Sequence, residues 1–121
     1  MYTIIYYQTR RGEIPVKEFL HSLEKPVQAK FYKWLQRLQA FGPDLPRPFS
    51  APLKDKIREL RVNFGHTDVR VLYFFWDKDY IILTHGFRKK TREVPETEID
   101  CAINYMHDFI NRNTLVNQGG K

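Results

Sequence analysis

Apolar and polar residues change rhythm several times along the chain, and each change marks an element. Tyr2 to Gln8 is β-branched and aromatic, as a strand requires, and Arg10, Arg11 and Gly12 end it. Pro15 suits the first turn of a short helix reaching Leu20. Beyond Lys25-Pro26, the residues Val27, Phe31, Trp34, Leu35, Leu38 and Phe41 recur every three or four positions, the period of an amphipathic helix, and Gly42-Pro43 stops it. Four prolines between 43 and 52 remove backbone donors and forbid helix or central strand, so a stiff loop is expected there. Three strands follow, near 57–63, 69–76 and 80–87, the last two joined by the turn Asp77-Lys78-Asp79. Connections so short make them antiparallel. A final helix begins near Pro95 and carries Ile99, Ala102, Ile103, Met106 and Ile110 on one face.

The order strand, helix, helix, three strands, helix predicts an α+β fold: a mainly antiparallel sheet with helices on one face and the other face open to a ligand. One domain over residues 1–113 is expected, and the polar, glycine-ending segment 114–121 reads as a disordered tail. Alternation in the strand at 57–63 sends Ile57, Glu59 and Arg61 one way and Arg58, Leu60 and Val62 the other. The same rule on the strand at 80–87 places Ile81, Leu83, His85 and Phe87 together.

Composition narrows the class. The chain of 121 residues carries 20 Lys and Arg against 14 Asp and Glu, a formal charge of +6, which points to a polyanionic partner. The excess lies in the body: residues 1–92 hold 18 bases and 9 acids, residues 93–121 only 2 and 5. Aromatic residues at 15% exclude a disordered basic polypeptide. Cys101 is the single cysteine, so neither a disulfide within the chain nor a Cys-x-x-Cys zinc or redox pair is available, and no metal or cofactor is expected. The longest apolar run, Val71 to Trp76, is far too short to cross a bilayer, and the opening MYTIIYYQTRR puts its apolar stretch before its arginines, the reverse of a signal peptide. A soluble cytoplasmic protein is expected, with no membrane partner.

Three segments concentrate candidate chemistry: LKDKIRELR at 53–61, DVRVLYFF at 68–75 and ILTHGFRKKT at 82–91. A basic run at a strand end is also explained by a solvated loop, and Arg70 in an apolar strand by an ion pair with Glu59. Taken together, Lys and Arg from several strands with a histidine supply what metal-free phosphodiester cleavage needs: clamps on phosphate oxygens, stabilisation of added negative charge and a proton carrier. With RNA as substrate, its own 2′-hydroxyl is the nucleophile.

These segments also carry a family resemblance. LKDKIRELR, VRVLYFF and ILTHGFRKKTREVPETEI, within residues 50–110, resemble the HigB-like, phage-derived branch of the RelE/ParE toxin superfamily. The string H-G-F-x-K-K-T-x-x-P-x-x-E-I is its most specific part. The resemblance implies a RelE-like fold and the toxin of a type II toxin–antitoxin system. Such a toxin is a metal-independent mRNA endoribonuclease, or mRNA interferase, that cuts mRNA on the translating ribosome and is neutralised by a HigA-like antitoxin with a helix-turn-helix domain. By position, Lys54 and Lys90 become phosphate clamps or proton carriers, Arg61 and Arg70 stabilisers or organisers of the site, and His85 the acid–base residue. Lys89 joins the phosphate-binding set, and Lys56, Arg58 and Arg88 add charge for RNA. Lys56 stands where the family often has Gly, and Arg58 where it often has an aromatic residue. Two other readings compete: a ParE-like gyrase-inhibiting toxin, and a non-catalytic homologue that only binds RNA.

Overall fold

A computed structural model describes the backbone of residues 1–119 and the side chains of residues 1–114; where the sequence predicts a disordered tail over 114–121, the backbone continues the last helix as far as Gly119, and residues 120–121 lie outside the described ones. The elements are β1 (Thr3–Tyr6), α1 (Pro15–His21), α2 (Lys25–Phe41), β2 (Ser50–Pro52), β3 (Arg58–Phe64), β4 (Thr67–Trp76), β5 (Tyr80–Arg88) and α3 (Glu96–Gly119). They form one five-stranded sheet in the order β1-β5-β4-β3-β2, in which β1 and β5 alone run parallel. Among the described residues no helix is long and apolar enough to cross a membrane.

Local chemistry accounts for the boundaries. Pro15 opens α1 where a helix leaves backbone N–H groups unpaired, so the missing donor is harmless. Gly42 ends α2 at a positive φ of 53°, and the Tyr2 ring occupies the space a Cβ would fill, so two constraints select glycine there. The proline-rich loop is not wholly irregular: Ser50–Pro52 pairs with β3 as a short edge strand. An edge is where a strand tolerates proline.

The α+β architecture matches the sequence pattern, but helices stand on both faces of the sheet. Val16, Leu20, Phe31 and Leu38 of α1 and α2 pack on Leu60, Val62, Val71 and Leu83. Ala102 and Met106 of α3 pack on Leu72, Phe74 and Ile82 on the opposite face. The apolar stripe of α3 requires an apolar partner, and the even-numbered positions of β4 and β5 supply it. Only the part of that second face beyond α3, toward the far end of β3 and β4, stays open.

A second departure lies in β5. Leu72 pairs with His85 and Tyr73 with Leu83, so Thr84 is an extra residue, a β-bulge. The bulge reverses the alternation. Ile81 and Leu83 face α1 and α2, whereas His85 and Phe87 turn to the α3 face instead of joining them. Gly86 then faces α1, where the Phe19 ring leaves no room for a Cβ.

Candidate functional site

Strand register sets the charged residues in rows on the α3 face. Glu59, Leu72 and His85 are cross-strand neighbours, and Arg61, Arg70 and Phe87 form the next row. Arg70 and Glu59 are both buried, 7% and 4% exposed, and Arg70 Nε donates to Glu59 Oε1 at 2.6 Å. Arg70 Nη1 also pairs with Asp68. Arg61 is half-buried and reaches the other oxygen, Glu59 Oε2, at 3.4 Å, while its Nε has no hydrogen-bond partner among the described residues. One carboxylate thus holds two guanidinium groups. Burying such charges is tolerable only when they are paired, and the pairing fixes both side chains before any ligand arrives.

The segment after β5 folds over these residues. Lys89 N–H donates to Asp68 O at 2.8 Å, which pins the loop against β4. A cavity of about 420 Å³ results, with Arg61, Arg70, Lys89 and Arg92 set against Glu59 and Glu93, and Leu53 and Val94 as its apolar walls. Four bases against two acids leave it positive, and its size suits a nucleotide-sized ligand. Among the described residues, no three His, Cys, Asp or Glu side chains gather as ligands to a metal ion would.

Of the residues singled out in the sequence, Arg61, Arg70 and Lys89 meet in this cavity. The Arg70–Glu59 pair read from the sequence is present, and it belongs to the site. Lys54 and Lys56 are exposed on the turn between β2 and β3, one on each side of Asp55, and Lys54 adjoins the wall residue Leu53. Lys90, also exposed, follows Lys89 at the rim. Arg58 and Arg88 point away. Arg58 Nη2 donates to Ser50 Oγ at 3.4 Å on the α1/α2 face, and Arg88 lies opposite Val69 of that same core.

His85 occupies a different environment. It is buried beneath α3, with Nε2 bonded to Glu98 Oε1 at 3.0 Å and Nδ1 to Thr84 Oγ1 at 3.2 Å, and Tyr105 packs edge-on against its ring. Burial pushes its pKa below the ordinary 6.5, and the Glu98 carboxylate offsets part of that shift. It does not line the cavity.

Arg92 reads from the sequence only as one of the four bases of the run 88–92, with no role of its own, and the structure puts it in the cavity. It belongs to the basic run after β5, but nothing in that run says that the loop turns back over β3 and β4. The fold of that loop depends on the Lys89–Asp68 backbone bond, a contact between residues 21 positions apart.

The family model described as phage-derived protein Gp49-like (DUF891) matches residues 18–107. No curated protein matches the sequence. Among solved structures the chain is similar to the crystal structure of an archaeal RelE–RelB complex from Pyrococcus horikoshii OT3. That likeness has a TM-score of 0.51 at 21% identity and covers 76% of this chain and 98% of that one, so it describes the fold, which is RelE-like. The family match spans most of the chain, including β3, β4, β5 and the loop that closes the charged cavity: the chain belongs to the phage-derived Gp49-like family.

Proposed function

We propose that this chain is the toxin of a type II toxin–antitoxin system and that it acts as a metal-independent endoribonuclease on ribosome-bound mRNA. The observation that carries the reading is the cavity in which buried Glu59 holds Arg61 and Arg70 opposite Lys89 and Arg92. Arginines held in advance pay little reorganisation when a phosphate takes on negative charge, which is the condition for electrostatic catalysis. The RelE-like fold and the family membership support a toxin. That the solved neighbour is a RelE–RelB complex supports an antitoxin partner, which the sequence resemblance makes HigA-like with a helix-turn-helix domain.

In this mechanism the scissile phosphate sits among Arg61, Lys89 and Arg92. The RNA 2′-hydroxyl attacks phosphorus and the 5′ oxygen leaves, giving a cyclic phosphate and a new 5′ end. Arg70, held through Nε by Glu59 and through Nη1 by Asp68, organises the site, whereas half-buried Arg61, with one long bond, is free to meet the phosphate. Lys54 and Lys90, both exposed and each next in sequence to a cavity-lining residue, are assigned the clamping of the flanking backbone and the movement of protons. His85, with both ring nitrogens engaged, is a positioning residue: it supports the bulge and anchors α3.

The test is induction of the chain in cells, followed by mapping of RNA 5′ ends. The reading predicts growth arrest with new 5′ ends inside coding regions, both lost in the double variant Arg61→Ala, Lys90→Ala. DNA breaks that depend on gyrase, with intact mRNA, select the gyrase-inhibitor reading. Salt-sensitive RNA binding without new ends selects the non-catalytic one.

A further inference from the structure

On the side of the sheet away from the charged cavity, α2 presents a surface that the cleavage reading does not use. Apart from Met1, the large apolar side chains most exposed among the described residues are Tyr32, Phe41 and Phe64, and all three border α2. Two hollows of about 550 and 430 Å³ lie along the helix and share Trp34 and Arg37, so they form one groove. Trp34 is its floor. Phe64 closes one end, and Phe41, Leu45 and Phe49 line the other.

The groove is basic as well as apolar. The segment Lys25–Phe41 carries Lys25, Lys30, Lys33 and Arg37 and no acid, and Asp44 is the single acidic residue in the lining. From Pro26 to Phe41 it runs roughly 22 Å, about four helical turns. Its long wall is a helix whose backbone groups are already paired, so an extended strand finds no ladder there, and side-chain packing is what the surface offers. The aromatic faces are largely occupied. Arg37 stacks over Trp34 at 4.4 Å and Phe49 packs on the same ring at 4.4 Å, while Lys30 sits over Phe64 at 5.8 Å. Bases of a single-stranded nucleic acid need free aromatic faces. Aliphatic side chains between such walls do not.

We propose that this groove docks an acidic amphipathic helix of a partner protein, its aliphatic stripe on Trp34, Phe41 and Phe64 and its carboxylates against Lys30, Lys33 and Arg37. Leu60 and Val62 under α2 and Glu59 and Arg61 in the cavity lie on opposite faces of β3, so the docked helix leaves the cavity open. The inference stands whether or not the chain cleaves RNA.

The experiment titrates the isotope-labelled full chain with a synthetic four-turn peptide bearing leucines at i, i+3, i+4 and i+7 and glutamates beside them. The other arms are the same leucine stripe flanked by lysines and a single-stranded oligouridylate. The glutamate peptide is expected to shift amide signals of α2 and residues 45–49 saturably and to bind about tenfold or more tightly than the lysine peptide. Lys33→Glu or Arg37→Glu should remove that preference, and Phe41→Ser should weaken both peptides without changing the melting temperature. No saturable shift from the glutamate peptide, equal affinity for the two peptides, or oligouridylate shifts centred on α2 would each overturn the proposal.

Discussion

The α3 face of the sheet holds two regions a few residues apart that treat charge in opposite ways. Under α3, Leu72, Phe74 and Ile82 meet Ala102 and Met106, and His85 is admitted only as a buried, hydrogen-bonded group with a lowered pKa. One row along, Arg61 and Arg70 reach back to Glu59 of the His85 row and form with it a charged corner that opens on a cavity. The strands are the same and the side chains are in adjacent register. What differs is cover: a helix excludes water from one region, and a loop bearing Lys89 and Arg92 leaves the other open. Cover, more than residue type, separates a histidine that serves the fold from the half-buried Arg61, which is available to a ligand.

The largest effect expected from breaking this contrast is at Glu59. Glu59→Ala leaves buried Arg70 with Asp68 as its remaining partner and should cost about 3 kcal/mol of stability, at the lower end for a broken buried pair. Glu59→Gln, which keeps acceptors in place, should lose less; chemical denaturation of the two variants orders them.

The sealed region yields a pH effect. Because the folded pKa of His85 lies below its ordinary 6.5, the unfolded chain takes up a proton first as pH falls. This contribution to stability is complete above about pH 6.5, and it is lost as pH falls through the lower folded value. His85→Asn should flatten that part of the stability curve, as melting temperatures across the range would show, while leaving the Arg61 corner intact.

The smallest effect is expected midway along α3. Asp108 accepts from Tyr7 Oη at 2.6 Å and pairs with Arg10 at 3.1 Å and Arg112 at 2.6 Å, tying the residue just beyond β1 to α3. Those partners hold the Asp108 carboxyl below its ordinary range, the Tyr7 bond foremost, and burial, reinforced by the Asp108 carboxylate beside it, pushes the Tyr7 phenol up to about 12. Asp108→Asn should cost about 1 kcal/mol in thermal melts and leave RNA cleavage unchanged.

Much of this was legible in the sequence because alternation is a local property. The pattern of KIRELRVN put Glu59 and Arg61 on one face, and a lone Arg in an apolar strand pointed to the pair with Glu59, as found. Three things were not local. The stripe on α3 says that the helix is buried but not on which side of the sheet, so the second covered face was missed. The bulge at Thr84 sits inside a run of residues that all favour strands, so it left no mark in the pattern, yet it turns His85 and Phe87 to the other face. The loop that brings Arg92 to Arg61 is fixed by the long-range bond between Lys89 and Asp68.

The central claim is that Arg61, held by Glu59 at the open corner, stabilises the phosphate in the cleavage step. The direct measurement is the single-turnover rate of mRNA cleavage on programmed ribosomes by purified wild-type and Arg61→Ala chains of equal melting temperature. The account predicts a loss of about 100-fold or more, the size of removing one preorganised donor to a developing anion. An Arg61→Ala rate within about threefold of wild type, less than 1 kcal/mol of barrier, would contradict it.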